Sequence, residues 1–192
     1  ITPYVRNNDM KFFQHFLPGT PLEENNHRSM GIVIQQISDK ESYSFVRGLQ
    51  IDLAKAELTE TQRDALTTSS AFNNATRPKG KHYDYEVDSF VYAFFGGIED
   101  LYLNESLNFF ADARAEFIEY EYSNRMISGN TREDGTKCGF GGCYYNRPSD
   151  RTDDFNEVSA RTGLVTNYEN INYFFQVSLG FRPPQINEAY RL

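Results

Sequence analysis

The side chains with most chemistry to offer are Cys138 and Cys143, the only cysteines, separated by Gly139-Phe140-Gly141-Gly142. Glycine frees the backbone for a tight closure, so a disulfide is expected. In the chain-entropy picture a loop this short contributes about 2 kcal/mol, and the bond persists in an oxidising compartment. A thiolate metal site needs further ligands, and His15, His27 and His82 all lie far from the pair in sequence; no metal is expected. Asp112, Arg114 and Glu116 alternate so as to share one face of an extended strand. Two carboxylates on one face suit acid–base catalysis, but the arginine between them makes a structural ion-pair ladder the better reading. Glu133-Asp134-Gly135 is too short for a calcium loop of the EF-hand kind. There is no Ser-His-Asp set, phosphate loop or nicotinamide fingerprint; no cofactor, catalytic residue or enzymatic activity is expected. Two aromatic groups remain as candidate ligand contacts. Phe13, His15 and Phe16 suit a hydrophobic or catecholate-like ligand, and Tyr144, Tyr145 and Arg147 suit an anionic one. Packing between loops is the competing role for both groups.

The elements that carry these residues read as strands, because period two matches the chain repeatedly and a helical period does not. In residues 171–181, Ile171, Tyr173, Phe175, Val177, Leu179 and Phe181 alternate with a mostly polar set. In residues 107–117, Leu107, Phe109, Ala111, Ala113, Ala115 and Phe117 alternate with Asn108, Phe110, Asp112, Arg114 and Glu116. The phase then changes at Tyr120 and Tyr122, which signals either a bulge or the end of the buried zone. Shorter matches occur at 30–34, 48–53 and 157–164; residues 85–95 form another strand, apolar on both faces, and 1–6 close a seventh. Short links are expected at 38–41, 98–104 and 167–170, and long polar ones at about 16–26, 59–82 and 123–153. A meander whose links alternate short and long has its turns at one edge and its loops at the other, as in an outer-membrane barrel.

Composition narrows the partners. With 27 Asp+Glu against 19 Lys+Arg the net charge is −8, and no basic cluster offers a phosphate-binding face; nucleic acid is not expected. Phe and Tyr make up 15% of the chain with no Trp, a bias that favours strands. No apolar run is long enough for a spanning helix, a test that membrane strands escape. The chain opens on Ile1 without a leader and stops at Leu192 without a terminating pattern, as a piece of something longer would.

Gly180-Phe181-Arg182, Pro184-Gln185, Glu188 and Tyr190-Arg191-Leu192 resemble a segment of TonB-dependent outer-membrane receptors in which a strand exits into an external loop. Phe12 to Gly19 followed by Glu23-Glu24-Asn25, and the Cys138–Cys143 stretch followed by Arg147-Pro148 and Asp153-Asp154-Phe155, resemble loops of the same family. The resemblance implies that residues 1–192 are an internal part of a barrel of about 22 strands, contributing about seven, with the plug, coupling box and remaining strands lying elsewhere. It implies an all-β, antiparallel up-and-down meander in the bacterial outer membrane, with lipid against one face and Asp112, Arg114 and Glu116 facing the lumen. It also implies a scarce ligand, a ferric siderophore foremost, and coupling to the TonB complex through the plug. A passive porin-like barrel, or a soluble β-sandwich binding module with the apolar face inside, would share the alternation.

Overall fold

The computed structural model describes residues 1–168 and 171–192. Among the described residues seven strands form one antiparallel sheet in sequence order: β1 (Thr2–Phe13), β2 (Leu22–Lys40), β3 (Tyr43–Gln62), β4 (Gly80–Asn104), β5 (Leu107–Asn124), β6 (Arg151–Tyr168) and β7 (Ile171–Leu179). The described residues also form two short helices, α1 (Ala71–Thr76) in the β3–β4 connection, capped by the Ser70 side chain, and α2 (Ile186–Tyr190) after β7, opened by a Gln185/Glu188 capping box. The chain is thus all-β and an up-and-down meander.

The strands run further than alternation alone indicates. The long connections shrink to residues 14–21, 63–79 and 125–150, and the first two turns to 41–42 and 105–106. Residues 98–104, expected as a link, belong to β4, which passes through them with irregularities after Ile98 and Tyr102. Of the link expected at 167–170, Asn167 and Tyr168 end β6, and Glu169 and Asn170 lie outside the described residues. The physical reason is that a ladder is held by backbone hydrogen bonds, so it continues through stretches such as Glu23–Arg28 where polar side chains stand on both faces and no pattern marks the strand.

Directly opposed residues share a face, so the register assigns sides across the whole sheet. Met30, Ile32 and Ile34 oppose Leu53, Ile51 and Leu49, which oppose Phe90, Tyr92 and Phe94. Phe94 and Tyr92 continue to Ala115 and Phe117, and Ala115 to Val158. This is an apolar face, and much of it is open, with Phe94 and Val177 each more than half exposed. The opposite face carries Tyr4, Gln50, Asp52, Arg114, Glu116, Glu157 and Arg161. The register settles β4: Phe90, Tyr92 and Phe94 lie on the apolar face, and Val91, Ala93 and Phe95 on the polar one. Gly31 and Gly48 sit on the polar face, where the rings of Tyr4 and Phe95 from neighbouring strands cover them so closely that a Cβ would collide.

The phase change at Tyr120 and Tyr122 is not a bulge, because β5 pairs with β6 in unbroken register from Leu107 to Tyr122. At the loop end the polar face itself becomes covered. Leu58, Tyr83, Tyr85, Val87, Ile118 and Tyr122 form a buried cluster there with Cys138, Cys143 and Tyr145 from the 125–150 loop and Tyr190 from α2.

Candidate ligand-binding mouth

Three connections and the segment after β7 converge on this covered end of the polar face. The 180–192 segment is fastened at several points. Tyr190 stacks on Tyr122 at 4.5 Å between ring centres, and its hydroxyl donates to Asp153 at 2.8 Å. Tyr83 donates to the Leu192 carbonyl at 2.5 Å, and the Asn146 amide donates to the same oxygen at 2.8 Å. Arg191 reaches strands far away in sequence, donating to Glu23 Oε2 at 2.7 Å and also to Glu60. Gln14 donates to Glu23, and His82 places Nδ1 3.0 Å from Glu60 Oε1 and Nε2 2.8 Å from the Pro78 carbonyl. Burial pushes the Glu60 carboxyl up, but the His82 hydrogen bond and the Arg191 charge outweigh it, and the net displacement is downward.

The disulfide between Cys138 and Cys143 is present. Gly141 within it has φ +90°, a conformation open to glycine and costly for other residues. The ring it closes presents Tyr144 and Tyr145 beside α1. Tyr144 meets Phe72 edge-on, and its amide donates to the Thr76 carbonyl at 2.9 Å. Tyr145 turns inward and stacks on His82 at 4.4 Å.

A recess of about 290 Å³ opens between these parts, bounded by Phe16, Arg77, Tyr83, Tyr144, Tyr145 and Arg191. It brings together three residues picked out by sequence, Phe16, Tyr144 and Tyr145. Phe13 and His15 lie outside it: Phe13 shares the face of Leu22 and takes the Arg63 guanidinium over its ring, and His15 is exposed. Arg147, expected as a contact for an anionic ligand, also lies outside the recess and is spent on loop oxygens. It is buried, and its guanidinium donates to the carbonyls of Ile127, His82, Thr131 and Arg132 and to the Thr131 hydroxyl. An Arg-Pro step in a polar stretch carries no sign of that role in sequence. Arg77, Glu60, His82 and Tyr83 were not singled out by sequence, since each stands in an unpatterned stretch and is brought to the mouth by register or by loop packing.

Asp112, Arg114 and Glu116 occupy the polar face well away from the mouth. Arg114 donates to Glu116 at 2.8 Å and to Gln50 at 3.2 Å, and Arg161 pairs with Asp112 across the β5–β6 ladder. One pair lies along β5 and the other crosses from β5 to β6. A depression of about 690 Å³ lies on the other face between Val5, Met30, Leu53 and Phe90, with charges of both signs at its edge, Arg28 and Lys55 against Asp88 and Glu119; among the described residues no loop or helix closes it. Comparison with known proteins returns no match, whether to family models, to curated proteins or to solved structures.

Proposed function

We propose that this chain is part of the barrel of a TonB-dependent outer-membrane receptor, in which the strands form wall and the long connections form part of the capture surface for a scarce ligand such as a ferric siderophore. The reading adds to the resemblance of residues 179–192 one structural observation that carries it: the chain's own loops fold over the loop end of the polar face and leave the apolar face bare. A soluble sandwich has the opposite need.

Two measures of that bare face agree with a bilayer. On β3 it is bounded by Arg47 and Lys55, eight residues apart. That is about 26 Å along the strand, or about 20 Å in projection at a tilt of roughly 40°. The apolar band of membrane barrels stands about 25 Å tall, and the long stems of Arg47 and Lys55 extend beyond its edges. The band also runs diagonally. Its centre on β7 is Val177, whose register line passes through Thr162, Ala111 and Ile98 to Phe45, six residues from the band centre at Ile51 on β3. Six residues are about 20 Å, and four strand spacings are about 19 Å, so the strands cross the band at about 45°. Strands in closed barrels are tilted by similar angles.

In this reading β1 and β7, which are the sheet's edges, pair with further strands of a barrel of about 22, and Asp112, Arg114 and Glu116 line its wet interior. The loops receive the ligand, the plug passes it inward under the pull of the TonB complex, and the chemistry is binding and translocation without bond making. The test is spin-label scanning of Leu49, Gln50, Ile51, Asp52 and Leu53 in the full-length protein reconstituted in phosphatidylcholine. Labels at Leu49, Ile51 and Leu53 are expected to collide preferentially with oxygen, and those at Gln50 and Asp52 with a water-soluble nickel chelate. A pattern without period two overturns the membrane reading.

A further inference from the structure

Two arginines are buried at the mouth, Arg77 and Arg147, and a third, Arg191, is half-buried. Arg147 is saturated by backbone oxygens, and Arg191 is held by two carboxylates. Arg77 is 6% exposed, yet its guanidinium makes no hydrogen bond or ion pair among the described residues; its backbone amide ends α1 on the Asn73 carbonyl. Its nitrogens keep contact with solvent at the recess they line, so its N–H groups stand there as free donors. The acids nearest in the cluster are occupied, Glu60 by His82 and Arg191, and Glu23 by Gln14 and Arg191. Burial pulls the Arg77 pKa down, with the Glu60 charge working against it.

The geometry around Arg77 says what is missing. Its Cζ lies over the Tyr144 ring, 4.7 Å from the centre, a contact that holds the cation while its N–H groups remain available for a bidentate partner. The remaining boundary of the recess includes Phe16, Leu17, Tyr83, Tyr145, Leu192 and the Glu60 carboxylate, which is already paired with Arg191 and His82, and among the described residues the buried Tyr145 hydroxyl has no hydrogen-bond partner. A cavity of about 290 Å³ has room for a single ring and its substituent. Resting on the reading of this mouth as ligand-facing, we propose that the recess between Arg77 and Tyr144 binds an aryl carboxylate, the carboxylate on the Arg77 guanidinium and the ring among Phe16, Tyr83 and Tyr145. Such a group would be either the whole ligand or the handle of a larger one.

The experiment titrates the detergent-solubilised full-length protein with benzoate, inorganic phosphate and benzyl alcohol, followed by saturation-transfer or phosphorus NMR. Benzoate is expected to bind saturably, with phosphate and benzyl alcohol each at least about tenfold weaker, since each offers only half of the recognition. Arg77→Gln is expected to weaken benzoate at least about tenfold, with Arg77→Lys recovering part of the loss and Tyr144→Ala producing a smaller one. Absence of saturable benzoate binding, equal binding of benzyl alcohol, or indifference of benzoate to Arg77→Gln each overturns the proposal. The ranking of the three probes on the unaltered protein decides the matter even if Arg77→Gln does not fold. The spin-label pattern of the wall, read on the same preparation, separates failure of this site from failure of the barrel reading.

Discussion

Ile51 is the most informative single position for the wall. It stands at the centre of the apolar band on β3, four residues from Arg47 on one side and four from Lys55 on the other, or about 13 Å along the strand from each edge. An arginine stem covers about half of that distance, so a guanidinium at 51 cannot reach either interface. Ile51→Arg is therefore expected to cost about 2–4 kcal/mol, the range for a basic residue near the midplane of a membrane barrel, or roughly 30- to 900-fold in the folding constant. Val177→Arg, at the band centre on β7, should cost a similar amount. Its neighbour Gln176, which opposes Gly163 on the polar face, should tolerate arginine within about 1 kcal/mol, as should Lys55→Arg at the band edge. The assay is reversible denaturant unfolding of the full-length protein from phosphatidylcholine bilayers, scored by the heat-modifiable electrophoretic shift of a folded barrel. Longer acyl chains should enlarge the Ile51→Arg penalty, because the charge then lies further from water; a soluble core is indifferent to lipid. A cost below about 1 kcal/mol at Ile51, or equal costs at Val177 and Gln176, would refute the facing deduced from the register.

The remaining expectations concern the mouth. Replacing Cys138 and Cys143 together by serine removes about 2 kcal/mol from one loop, so limited proteolysis should cut within 125–150 while the barrel stays folded; an unchanged digestion pattern would count against the pinning role. Arg191→Ala strands Glu23 and Glu60, both almost fully buried, and should destabilise the mouth by about 3–5 kcal/mol, seen as faster hydrogen exchange in residues 180–192. Adding Glu23→Gln and Glu60→Gln should return much of that loss, and no return would mean that buried charge is not its source. The Glu60 carboxyl is lowered on folding, and Glu60 lies about 23 Å along β3 beyond Leu53, clear of the apolar band. A lowered acid contributes stability that is present above its unfolded value, about 4.3, and lost as the pH falls through the folded one. The protection factors of 180–192, exchange corrected for the intrinsic rate at each pH, should therefore be high at neutral pH and fall below about pH 4, and Glu60→Gln should flatten that dependence.

Alternation along 107–117, 157–164 and 171–181 was enough to place β5, β6 and β7 and to say which of their residues share a face, because the pleat enforces period two. The cysteine pair announced its own bond, being local. The same pattern could not extend β2, β3 and β4 into their polar ends, where backbone hydrogen bonds alone continue the ladder, nor choose a side for Phe90–Phe95, apolar on both faces. The mouth was legible only in part: Phe16, Tyr144 and Tyr145 stand out as aromatics in loops, whereas Arg77 and Glu60 look like any other polar residue there. The sequence by itself determined the strands, their order and the disulfide, since these follow from contacts between near neighbours. Only the tertiary structure decided that Arg191 meets Glu23 and Glu60, that Arg147 is an anchor, and that Arg77 is left without a partner. Those outcomes depend on which loops fold over which end of the sheet, and a contact between residues 168 apart leaves no periodicity in the chain to read.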